Sequence, residues 1–134
     1  MSLELVPFTE EHLLGVLDLC EAEGWPTLAA DPRRATRALT APGVVSVVAL
    51  DEGAVVGFAY LLTDGEIDAY LAALAVSERV RRRGIGRALV DEVFARSGAQ
   101  RLDLLAGEGS EDFYCSYRHR IFPGYRIYPG ASPS

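Results

Sequence analysis

A chain of 134 residues with 49% hydrophobic and 24% charged residues has the size and composition of one globular domain, 1–134, and excludes a second sizeable core. No apolar run approaches the ~18 residues of a membrane span, and no basic flank leads into an apolar stretch at Met1-Ser2-Leu3-Glu4, so a cytoplasmic protein without a membrane partner is expected. The formal net charge of -6 argues against general nucleic-acid binding and favours a cationic partner.

Leu3 to Val6 reads as an opening strand. Thr9 offers an N-cap, Glu10 and Glu11 sit at the positive end of a helix, and Leu13, Leu14, Leu17 and Cys20 recur on one apolar face that stops near Gly24. His12, beside the two glutamates, reads as a surface residue. Asp31-Pro32 opens a second helix and Pro42-Gly43 closes it. Three β-branched runs follow, Val44 to Leu50, Ala54 to Leu62 and Glu66 to Val76, separated by turns at Asp51-Glu52-Gly53 and Thr63-Asp64-Gly65. This is the pattern of an antiparallel meander. Ile85, Leu89 and Val93, with Val90 and Phe94, mark an amphipathic helix ending near Ser97-Gly98, and Arg101 to Ala106 forms a further strand. A helix between two strands of one sheet makes them parallel, with a right-handed crossover.

In the last quarter, Gly107 to Ser110 reads as loop and Phe113 to Arg120 as helix. Phe122 to Tyr128 reads as a turn entering a short strand, and Pro129 to Ser134 as a frayed tail. Cys20 and Cys115 are far apart and read as buried thiols rather than a disulfide framework. Cys115 and His119 fall at i and i+4 of the expected helix, the spacing of a thiol and its base, but no third residue is evident to orient the histidine.

The segment richest in chemistry is Leu74 to Leu89, where a buried strand opens into a glycine-containing turn and then a helix. All the basic residues are arginine, and Arg79, Arg81, Arg82, Arg83 and Arg87 crowd into this stretch. Gly84 and Gly86 allow backbone conformations closed to other residues, and the N–H groups of the helix start face outward with the helix dipole behind them. A phosphate or pyrophosphate is the natural guest. Two common phosphate loops do not fit, because Leu89 stands where a dinucleotide fingerprint has its third glycine and there is no Gly-Lys-Ser/Thr. No metal site is expected.

Arg81, Gly84 and Gly86 match Arg/Gln-x-x-Gly-x-Gly/Ala, and the segment resembles the acetyl-coenzyme A signature of the Gcn5-related N-acetyltransferase (GNAT) superfamily. The Leu-x-Val strand end at Leu74 and Val76, the meander, the amino-terminal helices and the strand after the crossover helix follow that fold in order. The resemblance implies an α/β (α+β) acyl-CoA N-acyltransferase fold, a mixed and mostly antiparallel sheet with helices on both faces. It also implies acetyl-CoA as co-substrate and the primary amine of a small molecule or peptide as acceptor, attacked directly through a tetrahedral intermediate. By the same resemblance Arg81, Arg82, Arg83, Gly84, Ile85, Gly86 and Arg87 hold the pyrophosphate, largely through backbone N–H groups. Leu74, Ala75 and Val76 pair with the pantetheine arm by strand addition, and a main-chain N–H near Leu74 faces the oxyanion.

Members of the superfamily often carry an acidic base on the strand before the loop. Ala72 and Ala73 stand in those places, which leaves Asp68 or Glu66, acting through water. A tyrosine near the start of the last helix commonly serves the leaving thiolate; Tyr114 is the best match, with Gly107 and Ser110 replacing the usual Asn and Ala, and Tyr117 competes with it. Trp25 is placed to line the acceptor side or to pack in the core. The alternatives are a catalytically inactive acyl-CoA sensor and an RNA-associated domain using the arginines. A homodimer through carboxy-terminal strands follows from the resemblance alone.

Overall fold

In the computed structural model, whose described residues are 2–130, the chain divides into two compact units, one up to Leu104 and one from Leu105. The expected tail continues into residues 131–134, which lie outside the described residues. No helix among the described residues is long and apolar enough to cross a membrane.

The first unit is built on five strands lying side by side in chain order, β1 (Leu3–Pro7), β2 (Val44–Asp51), β3 (Ala54–Thr63), β4 (Asp68–Val76) and β5 (Arg101–Leu104). The first four pair antiparallel and β5 joins β4 in parallel. Turn chemistry sets the register. Glu52 (φ 50°) and Gly53 (φ 86°) both lie in the left-handed region, as a two-residue hairpin loop requires, and Asp51 therefore faces Ala54. After β3, the Asp64 carboxylate accepts the N–H groups of Glu66, Ile67 and Asp68 at 2.8, 2.8 and 3.2 Å. That closes the loop around Glu66, so β4 starts at Asp68, and Glu66 is off the strand on which the sequence reading put it.

A 3-10 turn (Glu10–His12) leads into α1 (Leu13–Ala22), followed by α2 (Pro26–Ala29) and α3 (Pro32–Leu39). Asp31 caps α3 by accepting the Arg34 N–H at 3.1 Å. These helices cover one sheet face, where Val16, Leu19, Cys20 and Leu39 pack with Val48, Phe58 and Ala75. The crossover helix α4 (Ile85–Ser97) covers the other. Neighbouring residues of β3 look to opposite faces, and a Cβ added at Gly57, next to Phe58, would meet Leu89 Cδ1 at 3.0 Å and Ile85 Cγ2 at 3.5 Å.

Two expectations about the first helix are corrected. Leu14 is 76% exposed, while His12 is buried. The entry is a 3-10 turn in which His12 Nδ1 accepts the Thr9 N–H at 3.0 Å, so the α-helix begins later and presents Val16, Leu17, Leu19 and Cys20 to the core. Cys20 is a buried free thiol as expected, but Cys115 is exposed.

The β3–β4 ladder is interrupted once, with Tyr60 opposite Ala73 and Leu61 opposite Leu71. Ala72 is the extra residue of a bulge, which reverses the inside–outside alternation of β4. Tyr70, facing Leu62, and Ala73, facing Tyr60, consequently share the face covered by the amino-terminal helices.

In the second unit the only regular element among the described residues is α5 (Glu111–Cys115). The helix expected to run to Arg120 stops early, where the Tyr117 N–H bonds the Tyr114 carbonyl at 3.1 Å in a tighter turn and the Ser116 hydroxyl bonds the Phe113 carbonyl at 2.7 Å. Cys115 and His119 therefore do not share a helix. No strand forms within Phe122 to Tyr128: Pro123 lacks an N–H, and no neighbouring strand pairs with this segment among the described residues. Strand β5 likewise ends at Leu104, short of Ala106.

Candidate active site

After Val76 the Ser77 N–H bonds the Val56 carbonyl at 2.7 Å, and a 3-10 turn (Glu78–Val80) follows. Val80 and Ile85 are both buried and act as anchors that hold the exposed residues Arg81, Arg82, Arg83 and Gly84 outward between them. Gly84 (φ 80°) is the N-cap of α4. The first bond of the helix ladder runs from the Ala88 N–H to the Gly84 carbonyl at 3.0 Å, so the N–H groups of Ile85 and Gly86 precede the ladder and remain available to a ligand. A Cβ at Gly84 would meet no atom within 4 Å. The surface over the helix start is open, positive by dipole and rimmed by arginine, which suits a diphosphate.

Arg82 also has a positive φ, 67°, and here the side chain is not glycine. A β-branched residue tolerates that conformation worst. Arg82→Val is expected to unfold at ~1–2 kcal/mol lower free energy than Arg82→Gly in urea titrations; equal stability would mean the loop does not hold this conformation.

Beside the loop the sheet opens. Strand β5 pairs only with Asp68 to Leu71, so the ladder ends at Leu71 and Leu104, next to the Ala72 bulge. On that edge Ala72 to Val76 has no strand partner among the described residues. The backbone of Leu74, Ala75 and Val76 is thus an open strand edge that an amide-bearing arm can pair with. One of its carbonyls is already engaged: Arg81 Nε donates to Val76 O at 3.1 Å, and the Arg81 guanidinium pairs with Glu23 at the end of α1. Arg81 fastens strand end, loop and helix together. A cleft of about 480 Å³ beside it is lined by Leu19, Glu23, Val76, Glu78 and Arg81. Arg87, the last of the loop arginines, lies 4.0 Å from Asp91.

Asp68 begins β4 eight residues before Val76, roughly 25 Å from the loop end of the strand at ~3.3 Å per residue. Its carboxylate accepts Arg101 Nε at 3.1 Å. Asp103, on β5 and opposite Tyr70, was not singled out from the sequence. A hydrogen bond that the protonated Asp103 carboxyl donates to Asp68, followed by desolvation and the charge of Asp68, pushes the Asp103 carboxyl above its ordinary range, against the opposing pull of Arg101. Burial, with Glu23 adding to it, pushes the Cys20 thiol up to about 11, so this sulfur stays protonated and unreactive. The Tyr60 phenol is raised by burial and by Cys20 and Tyr70 beside it.

In the second unit, burial raises the Tyr114 phenol above its ordinary value, so it keeps its proton at neutral pH. The Phe113 ring stands edge-on to Tyr114 at 4.9 Å and to Tyr117 at 6.0 Å. Tyr114 lies on α5 and Tyr117 beyond its end.

A model of the acetyltransferase (GNAT) family matches residues 11–116. Among curated proteins none matches. Among solved structures, AAC(6')-Iy in complex with the bisubstrate analogue CoA-S-monomethyl-acetylneamine superposes with a TM-score of 0.75 at 17% identity, covering 96% of this chain and 100% of that one. A ribosomal-protein-alanine N-acetyltransferase from Brucella melitensis biovar Abortus 2308 gives 0.72 at 17% identity, with 96% and 100% covered. An aminoglycoside acetyltransferase from an uncultured soil metagenomic sample gives 0.71 at 22% identity, again with 96% and 100% covered. At these identities the superpositions establish the fold, the mixed α/β architecture with helices on both faces of the sheet.

Proposed function

The chain belongs to the acetyltransferase (GNAT) family, and on that footing we propose that it transfers an acetyl group from acetyl-CoA to a primary amine of a small molecule or peptide. The observation that carries the reading is the open, dipole-positive start of α4 at Gly84 lying beside the unpaired edge of β4. The two features offer N–H groups to a diphosphate and a strand edge to the amides of a pantetheine arm. The family match crosses the division at Leu104 and Leu105, which supports reading both units as parts of one catalytic domain. Three solved structures of similar fold are, by name, an aminoglycoside acetyltransferase, a ribosomal-protein acetyltransferase and a CoA-analogue complex. The net charge of -6 suits a cationic acceptor.

In this reading the N–H groups from Arg82 to Arg87 hold the diphosphate, and exposed arginine side chains add charge-assisted bonds. Leu74 to Val76 holds the arm, and a main-chain N–H near Leu74 meets the thioester oxygen. Bound there, acetyl-CoA supplies the activated acyl group. The amine attacks it directly, and no acyl-enzyme is needed, consistent with the inert Cys20 thiol. A lysine-like amine costs about 4.6 kcal/mol to deprotonate at pH 7, given a pKa of ~10.4, so the acceptor needs a base. The leaving thiolate needs a hydrogen-bond donor; Tyr114, the better match to the family's tyrosine, is the candidate for that role, with Tyr117 as its competitor. Full proton transfer from a phenol of pKa ~10 to a thiolate of ~8.5 runs uphill by roughly 2 kcal/mol. Raising the phenol further by burial makes the hydrogen bond, rather than transfer, the stabilising contribution.

A second reading keeps one specific observation in its favour: Ala72 and Ala73 leave the β4 bulge without a titratable group, as in a domain that only senses acyl-CoA. Thiol release from acetyl-CoA with spermidine, neamine and an alanine-starting peptide separates the two. The enzyme releases coenzyme A with at least one amine; the sensor binds coenzyme A calorimetrically and releases none. With a productive amine, Tyr114→Phe is expected to lower kcat ~10- to 100-fold with little change in the KM for acetyl-CoA, and an unchanged kcat would remove Tyr114 from the reaction.

A further inference from the structure

We infer that Asp103 is the general base that takes the proton from the acceptor amine, with Asp68 as its positioning partner on the neighbouring strand. This rests on the acyltransferase reading above. Among the described residues the sheet strands carry four carboxylates, Glu4, Asp51, Asp68 and Asp103. Only Asp103 adjoins the point where β4 and β5 part: it is paired with Tyr70, one step before the last pair, Leu71 with Leu104. At ~3.3 Å per residue it stands one step behind the opening, whereas Asp68 stands roughly 10 Å behind it.

The face is also right. Alternate residues and register partners share a sheet face, so Asp68, Tyr70, Arg101 and Asp103 lie on one side, the same side as Tyr60 and Ala73. The Ala72 bulge sits at the opening and turns Ala73 to this side, where its small side chain leaves room for an acceptor. The base that β4 lacks at Ala72 and Ala73 is thus supplied by β5.

The charges divide the labour between the two carboxyls. Arg101 Nε holds the Asp68 carboxylate at 3.1 Å. Asp103 is exposed on β5, and once protonated its carboxyl donates a hydrogen bond to Asp68, which together with the charge of Asp68 raises its affinity for a proton. The groups facing Asp103 are Asp68 and Tyr70 from β4 and Arg101 from its own strand. In the reaction the Asp103 carboxylate accepts one proton from the ammonium form of the acceptor. The freed nitrogen lone pair forms the C–N bond as the C–S bond breaks. The second nitrogen proton leaves with amide formation and ends on the thiol sulfur. Asp103 returns its proton to solvent, so one ammonium and one thioester give one amide, one thiol and one released proton.

The test uses the full chain with acetyl-CoA and whichever of spermidine, neamine or the alanine-starting peptide is turned over. Asp103→Asn, an isosteric change at an exposed position, is expected to lower kcat ~100-fold or more while calorimetric binding of coenzyme A stays within twofold of wild type. Asp103→Glu restores part of the loss. In Asp68→Asn the neighbouring negative charge is removed while Arg101 remains, so the ascending limb of the kcat/KM–pH profile moves to lower pH. A kcat for Asp103→Asn within threefold of wild type overturns the inference, as does an ascending limb that does not move in Asp68→Asn. Absence of thiol release by the wild-type chain with all three amines overturns the acyltransferase reading and this inference with it.

Discussion

Replacing Gly84 with glutamate is expected to weaken coenzyme A binding ~1000-fold, about 4 kcal/mol at 1.4 kcal/mol per decade, while the fold loses only ~1–2 kcal/mol. The two effects have separate origins. A Cβ at position 84 meets no atom beyond its chain neighbours within 4 Å, so the stability cost comes chiefly from the backbone, from φ of 80°, where an L-residue is strained. The loss of binding comes from where the new carboxylate stands. It projects over the N–H groups of Ile85 and Gly86, repels a diphosphate and competes for the same donors. Gly84→Ala isolates the strain: it carries the same backbone cost with no charge, and is expected to lose far less affinity than the glutamate variant. Calorimetry with coenzyme A and urea unfolding of both variants check the pair of effects. Binding by Gly84→Glu within threefold of wild type would show that the diphosphate does not sit on this turn.

That turn was legible in the sequence because its chemistry is local. Glycine spacing, the strand before it and the amphipathic helix after it are all read within Leu74 to Leu89, and the meander is similarly declared by its two-residue turn at Glu52-Gly53. What escaped the sequence depends on partners distant in the chain. The bulge at Ala72 exists only in the register between Tyr60 and Ala73, and no side chain at Ala72 announces it. Asp103 lies far along the chain from Ala72, and only the parallel crossover brings β5 against β4 at the opening. Arg81 reads as one more phosphate ligand until the Val76 carbonyl and Glu23, 58 residues away, take up its guanidinium. Periodicity placed Leu14 inward because a uniform α-helix was assumed from Thr9. The 3-10 turn through His12 changes the phase, and helical spacing cannot report a change of pitch. From Phe122 to Tyr128 β-propensity was a poor guide, since propensity describes a residue that fits a sheet and does not supply the neighbouring strand.

The phase of the first helix and the position of the core meet in one stability comparison. Phe58→Ala is expected to cost ~3–5 kcal/mol, a large part of the ~5–15 kcal/mol that holds a domain of this size together, whereas Leu14→Ala should stay within ~0.5 kcal/mol. Phe58 is 1% exposed, stacks on Tyr60 with ring centroids 6.4 Å apart and packs with Val16, Leu19 and Cys20 beneath α1. Its partners across the ladder are Val48 and Ala75, side chains too short to fill the space a lost ring leaves, and behind it Gly57 is already closed off by Leu89 and the Ala75 carbonyl. With no neighbour able to collapse inward, most of the cavity persists, which sets the cost towards the upper end of the range. Urea unfolding should show a lower midpoint with an unchanged slope; a loss below ~1.5 kcal/mol would mean that the ring is not enclosed as described. Because Ala75 belongs to the open edge of β4, the same cavity softens the segment proposed to hold the donor. Phe58→Ala should therefore raise the KM for acetyl-CoA even where the remaining stability keeps the chain folded, and Leu14→Ala, on the solvent side of α1, should leave it unchanged.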